Sequence, residues 1–168
     1  MSLAFMRASL EGRFAEAETL LGASLPGEWP DNRHVLKMRI RQLEADPGLE
    51  PWLLRAVILR STGAMIGRIG FHDAPGAEYL GPYSPDAAEF GYTIFPEYRR
   101  QGYALEGVRA LMKWAHLEHS VESFVLCVSP SNIPSQALAA RLGFVRISSH
   151  MDDIDGEEDI LELKVRRN

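Results

Sequence analysis

The chain has 168 residues, 46% hydrophobic and 24% charged, the balance of an ordinary globular domain. Its formal net charge of −5 speaks against sequence-independent nucleic-acid binding, which needs a basic face. The single cysteine, Cys127, excludes an internal disulfide and fits a reducing compartment. No apolar run reaches the roughly 18 residues of a membrane span, and the first residues lack a signal peptide's apolar core, so the expected location is the cytoplasm.

In chain order, residues 1–50 read as a helical N-terminal part and residues 51–168 as a sheet core, together one domain. "EGRFAEAETLLGA" (Glu11 to Ala23) is rich in helix formers, with Gly22 as its stop. "DNRHVLKMRIRQLEA" predicts a second helix with Asp31 as N-cap, ended by "DPG". The pattern then changes to strand. "WLLRAVIL" (Trp52 to Leu59) and "AMIGRIGFH" (Ala64 to His72) flank "RSTG" as a hairpin, and "AAEFGYTIF" (Ala87 to Phe95) is a third strand.

Leu105, Val108, Leu111, Met112 and Ala115 recur at helical spacing as one apolar stripe. "SFVLCVS" (Ser123 to Ser129) is a nearly continuous apolar run, the mark of a strand buried on both faces. A short helix follows, capped by Asn132 and stopped by Gly143. "FVRISSH" and "DILELKV" close the chain as two strands around Asp155-Gly156, a tight-turn pair. The expected class is α+β: a mixed, mostly antiparallel sheet flanked by helices, with one strand–helix–strand crossover in the middle.

That crossover opens with "YRRQGYA" (Tyr98 to Ala104). A loop leaving a strand and entering a helix exposes unpaired N–H groups at the positive end of the helix dipole, so an anion is favoured there. Gly102 and Ala104 let backbone approach a phosphate closely, and Arg99 or Arg100 can add charge-assisted contacts. The chemistry alone leaves two readings open, a phosphate cradle and a plain connection.

At these residues the chain resembles the GCN5-related N-acetyltransferases. "RRQGYA" matches their acetyl-coenzyme A signature, [Q/R]-x-x-G-x-[G/A], through Arg99, Gly102 and Ala104. It follows a strand, opens an amphipathic helix and precedes "VLCVSPSNIPSQALAARLGF", which is similar to the family's next strand and helix. The resemblance covers roughly residues 51–165 and is nearest to the branch of the ribosomal-protein N-terminal acetyltransferases.

The resemblance implies a single acetyltransferase domain whose sheet splays after Glu89–Phe95, with acetyl-coenzyme A as cosubstrate and no metal. Backbone N–H groups of Arg99, Arg100, Gln101, Gly102, Tyr103 and Ala104 would hold the pyrophosphate, and Asn132 the pantetheine arm. N–H groups around Ile94 and Phe95 would receive the thioester carbonyl oxygen as negative charge develops. Glu89, on the strand ahead of the signature, is the candidate base for the acceptor amine. Many members place a tyrosine acid seven residues after the Asn. Here that position is Ala139, so Ser135 is the candidate donor to the leaving thiolate. The implied acceptor is a primary amine, either a protein or peptide α-amine or a small-molecule amine. Neither nucleic acid nor membrane is an expected partner, and a homodimer is admissible. The alternatives are a non-catalytic acyl-coenzyme A binding module, or an acyltransferase using another acyl group.

Other features point elsewhere. His116 and His119 suit solvated positions near a helix end better than a metal pair. Cys127 reads as strand packing, and "DDIDGEED" as a solvated hairpin tip. Trp52 reads as core, while Trp29 and the Tyr79–Tyr83 loop are candidates for an acceptor pocket.

Overall fold

The computed structural model describes residues 1–152 and 156–165. Local end signals shape the first helices. Ser2 opens α1 (Leu3–Leu10) by accepting a hydrogen bond from the Phe5 N–H. The chain turns at Gly12 (φ +76°), and α2 spans Phe14–Leu21. The helix expected from Glu11 therefore begins only at Phe14, because Glu11–Arg13 carry a left-handed turn that a helix interior does not host. Gly22, at φ +70°, ends α2 as expected.

The cap of α3 (Arg33–Ala45) is Asn32, whose Oδ1 accepts from the Val35 N–H at 3.2 Å. Asp31, the expected cap, is drawn instead to the Arg68 guanidinium at 3.1 Å. The β1 strand (Arg55–Leu59) starts later than expected. Trp52 and Leu53 send their N–H groups back to the Leu49 carbonyl at 2.9 and 3.1 Å, completing a helical turn rather than joining a sheet. The Arg60–Gly63 hairpin then leads into β2 (Ala64–Phe71), with Gly63 at φ +68°.

Two compact units divide the chain: Met1–Gly70 with Tyr92–Ala104, and Phe71–Gly91 with Leu105–Asn168. The first is built on Phe5, Met6, Leu36, Ile40, Leu43, Leu53, Leu54, Met65 and Phe95, with Trp29 among them. Burying side chains of this size contributes about 1.5–3 kcal/mol each. Trp29 is only 4% exposed and lies 5.8 Å from the Phe5 ring, so it is a core residue and not an acceptor-pocket wall. Trp52 is buried too, as expected.

The second unit centres on Phe71, which contacts the rings of Phe90, Trp114 and Phe124 at 6.2–6.3 Å. Helix α4 (Tyr103–His119) buries Val108, Leu111, Met112 and Ala115, the predicted stripe, with Leu105 half-buried at its end. All but Cys127 of β4 (Ser123–Val128) is buried. Helix α5 (Ile133–Leu142) is capped by Asn132 and stopped by Gly143 at φ +91°, both as read from sequence. Strands β5 (Val145–Asp152) and β6 (Gly156–Lys164) pair antiparallel. Asp155 of the expected turn, and residues 153–155 of the acidic tip, lie outside the described residues.

Six strands follow the order β1-β2-β3-β4-β6-β5, with β3 at Ala88–Ile94. Of the four ladders β1–β2, β3–β4, β4–β6 and β5–β6 among the described residues, β3–β4, joined through α4, is parallel and the others antiparallel, so the sheet is mixed and mostly antiparallel, as the α+β reading expects. The β3–β4 ladder consists of Ala88–Phe124 and Glu89–Val125, although β3 continues to Ile94. Glu89 is thus the last paired residue of β3 on that side.

Candidate active site

In the first unit, β3 ends in a helical turn, Pro96–Tyr98, and the chain enters α4 through Arg99–Gly102. Arg100 (φ +59°) and Gly102 (φ +88°) are both left-handed, an alternation that points successive N–H groups into one concavity. Among the described residues, the N–H groups of Arg100, Gln101 and Gly102 donate to no backbone carbonyl. Those of Tyr103 and Ala104 begin a helix and have no partner one turn earlier. A Cβ built on Gly102 meets nothing within 4 Å, so the space above it is open. This geometry fits a pyrophosphate.

The arginines contribute differently from expectation. Arg99 Nε donates to the Ile94 carbonyl at 2.9 Å, tying the loop to the strand it leaves. Gln101 Nε2 does the same toward the Glu97 carbonyl at 3.2 Å. Arg100 is exposed. The Phe95 N–H is already given to the Ile66 carbonyl at 2.9 Å, which removes it as a carbonyl-oxygen donor. Strand alternation turns the Ile94 N–H to the opposite edge of β3.

In the second unit, Glu89 is 7% exposed. Its Oε1 lies 3.3 Å from His72 Nδ1. Burial pushes its carboxyl pKa up, but the hydrogen bond and charge of His72, with hydrogen bonds from Cys127 and Tyr79, outweigh this and hold it below the usual value. The Tyr79 hydroxyl and the Cys127 thiol are both shifted strongly upward, by burial first and then by the negative charge of Glu89. Both therefore stay protonated at neutral pH and serve Glu89 as donors. Cys127 is partly buried and packs against Leu80, Ala87, Val125 and Ile160, as read from sequence, and its thiol also donates to the Glu89 carboxylate. His72 escaped the sequence reading, Cys127 entered it only as strand packing, and Tyr79 only as a pocket wall.

Ser135 and Asn132 sit at the start of α5. Asn132 Oδ1 accepts from the Ser135 N–H at 3.3 Å and is thereby committed to the helix end. Ala139, where a tyrosine was to be expected, is fully buried and offers no polar group. His116 Nδ1 lies 2.8 Å from the Val121 carbonyl, and His119 packs edge-on to Trp114, so each has its own partner rather than a shared ion.

The family model for an acetyltransferase (GNAT) domain matches residues 14–145. A curated relative, an FsC-acetyl coenzyme A-N(2)-transacetylase of Aspergillus fumigatus, is 25% identical over 109 residues, 65% of this chain. The match spans only 44% of that relative's length. A ribosomal-protein-S5-alanine acetyltransferase of Vibrio fischeri shares the fold at TM-score 0.65 and 15% identity, over 98% of this chain and 90% of that one. A microcin C7 self-immunity acetyltransferase, solved with acetyl-CoA and AMP, does so at TM-score 0.63 and 16% identity, over 98% and 89%. With the model covering most of the chain, the protein belongs to the GNAT acetyltransferases.

Proposed function

We propose that the protein transfers the acetyl group of acetyl-coenzyme A to a primary amine, a peptide α-amine or a small-molecule amine. The observation that carries this is Glu89: a buried carboxylate kept ionised by three donors, at the residue where β3 leaves its pairing with β4. A fixed negative charge there favours an ammonium group and gives its proton somewhere to go. The open N–H groups from Arg100 to Ala104 support pyrophosphate binding.

Acetyl transfer also needs a home for the carbonyl oxygen and a proton for the thiolate. The Ile94 N–H serves the first and the Ser135 hydroxyl the second, while the Asn132 amide NH₂ meets the pantetheine arm. The relative named as an N(2)-transacetylase and the neighbour named as an alanine acetyltransferase both favour nitrogen as the acceptor atom.

The test is thiol release from acetyl-coenzyme A against a panel of amines and N-terminal peptides. Turnover with any amine supports the reading, and coenzyme A binding without turnover throughout supports a non-catalytic module. E89Q should then lower turnover by roughly 10²-fold or more while leaving coenzyme A affinity unchanged.

A further inference from the structure

Beside the Glu89 cluster, three strands bring a second set of side chains together. Cys127 on β4 stands opposite Ile160 on β6, and His150 on β5 stands opposite Glu158 on β6. Partners directly opposite in an antiparallel pair share a face, and so do residues two apart on one strand. Ile160 and Glu158 are two apart, so Cys127, His150 and Glu158 all project from one face of the sheet. A thiol sulfur, an imidazole nitrogen and a carboxylate oxygen of these three lie within 4.8 Å of one another. All three residues are partly buried.

Two features set this group apart from an ordinary strand pairing. His150 Nε2 and Glu158 Oε2 are 3.8 Å apart, beyond hydrogen-bond length. The other ring nitrogen, Nδ1, is buried and has no hydrogen-bond partner among the described residues, a cost that a merely packed histidine avoids. Two ligands each about 2.1 Å from a zinc ion stand about 3.4 Å apart, with a thiolate slightly farther out. Small side-chain rotations bring the observed spacings to these values. Burial, and then the negative charges of Glu89, Glu158 and Asp152, push the Cys127 thiol strongly upward, so the sulfur lies in an anionic setting. A divalent cation is favoured there.

We propose that Cys127, His150 and Glu158 bind one divalent ion of the zinc class, with the fourth position left to water. Thiolate, imidazole and carboxylate together are the donor set of a borderline-soft ion, whereas magnesium and calcium take oxygen ligands. As the ion binds, the sulfur–hydrogen bond breaks, its proton leaves to solvent, and the sulfur's electron pair goes to the metal. Glu89 then loses one of its three donors and keeps His72 and Tyr79. The site stands apart from the amine-acetyltransferase reading, whose steps call on Glu89 and Ser135 and on none of these three side chains as a reactant.

The probes are cobalt(II) and zinc(II), added to reduced, tag-free, metal-free protein. Cobalt(II) should give a sulfur-to-cobalt charge-transfer band in the near ultraviolet, saturating at about one ion per chain. Zinc should displace it, and calorimetry in buffers of different ionisation enthalpy should show release of about one proton per ion. Cys127 is the single cysteine, so the band by itself identifies the ligand, even where a variant fails to fold. C127S should lose the band, and H150A and E158Q should each bind zinc at least about tenfold more weakly. H34A, which removes an exposed histidine elsewhere, should match wild type. Wild-type protein without the band overturns the proposal before any variant is made. So does zinc affinity that stays within about twofold of wild type in C127S or H150A, because the ion then lies elsewhere.

Discussion

The Arg99–Ala104 loop and the Glu89 cluster are made of opposite materials. The loop is exposed, and its useful groups are backbone N–H groups set by two left-handed residues and a helix start. Its side chains mainly brace it, as Arg99 does on the Ile94 carbonyl. The cluster is a buried carboxylate surrounded by side-chain donors from three separate stretches of chain. A site for a doubly charged, solvated diphosphate does not need to be dry, because several N–H groups and a dipole share the charge. A site that tunes one proton needs burial, which magnifies each neighbour's effect.

If that division is right, damage to the two sites should separate cleanly. E89Q should cost roughly 10²–10³ in turnover and leave coenzyme A affinity alone, as calorimetry would check. G102D should do the reverse. Its side chain and negative charge would occupy the open space above the loop, at a φ of +88° that non-glycine residues resist. Affinity for coenzyme A should fall at least about tenfold, or about 1.4 kcal/mol. Equal binding in a folded variant would remove the phosphate site. S135A tests a third position, the thiolate, and should lower turnover by about tenfold or more with little change in either apparent affinity. If affinity for acetyl-coenzyme A weakens and turnover holds, Ser135 binds the donor and does not supply the proton.

The same contrast explains what the sequence disclosed. The loop was legible because its requirements are local: a glycine for the left-handed turn, a small residue in the first helical turn, an apolar stripe behind. The caps of α5 were legible for that reason too. The cluster was not. Glu89 was visible as a strand carboxylate ahead of the loop, but its pairing with His72 depends on the β2–β3 register. A long polar connection between His72 and Ala87, with no tight-turn pair to set that register, hides it. Cys127 sits in an apolar run, where only the neighbouring strand reveals that its thiol has a carboxylate to meet. Asp31 failed as a cap because a long-range partner, Arg68, competed for it.

The smallest expected effect sharpens the comparison through stability. Tyr79 has a half-exposed ring, yet its hydroxyl donates to buried Glu89. Y79F keeps the ring and deletes the donor, which should cost about 1.5–3 kcal/mol at neutral pH, as for hydrogen bonds to charged groups, or less where water reaches the carboxylate. The pH dependence follows from the lowered pKa of Glu89. The folded protein binds this proton less readily than the unfolded chain, where the carboxyl titrates near 4.5. Its contribution is therefore complete above that value and is lost as pH falls through the lower folded value. The gap between wild type and Y79F should be constant from about pH 6 to 7 and should close in the acid range. Thermal unfolding across pH measures it. A gap that persists unchanged below the folded pKa would mean that the Tyr79 hydroxyl stabilises through a partner other than ionised Glu89, and that Glu89 keeps its charge through His72 and Cys127. In the loop, where no buried charge is tuned, a substitution such as R100A should show no such pH-dependent gap.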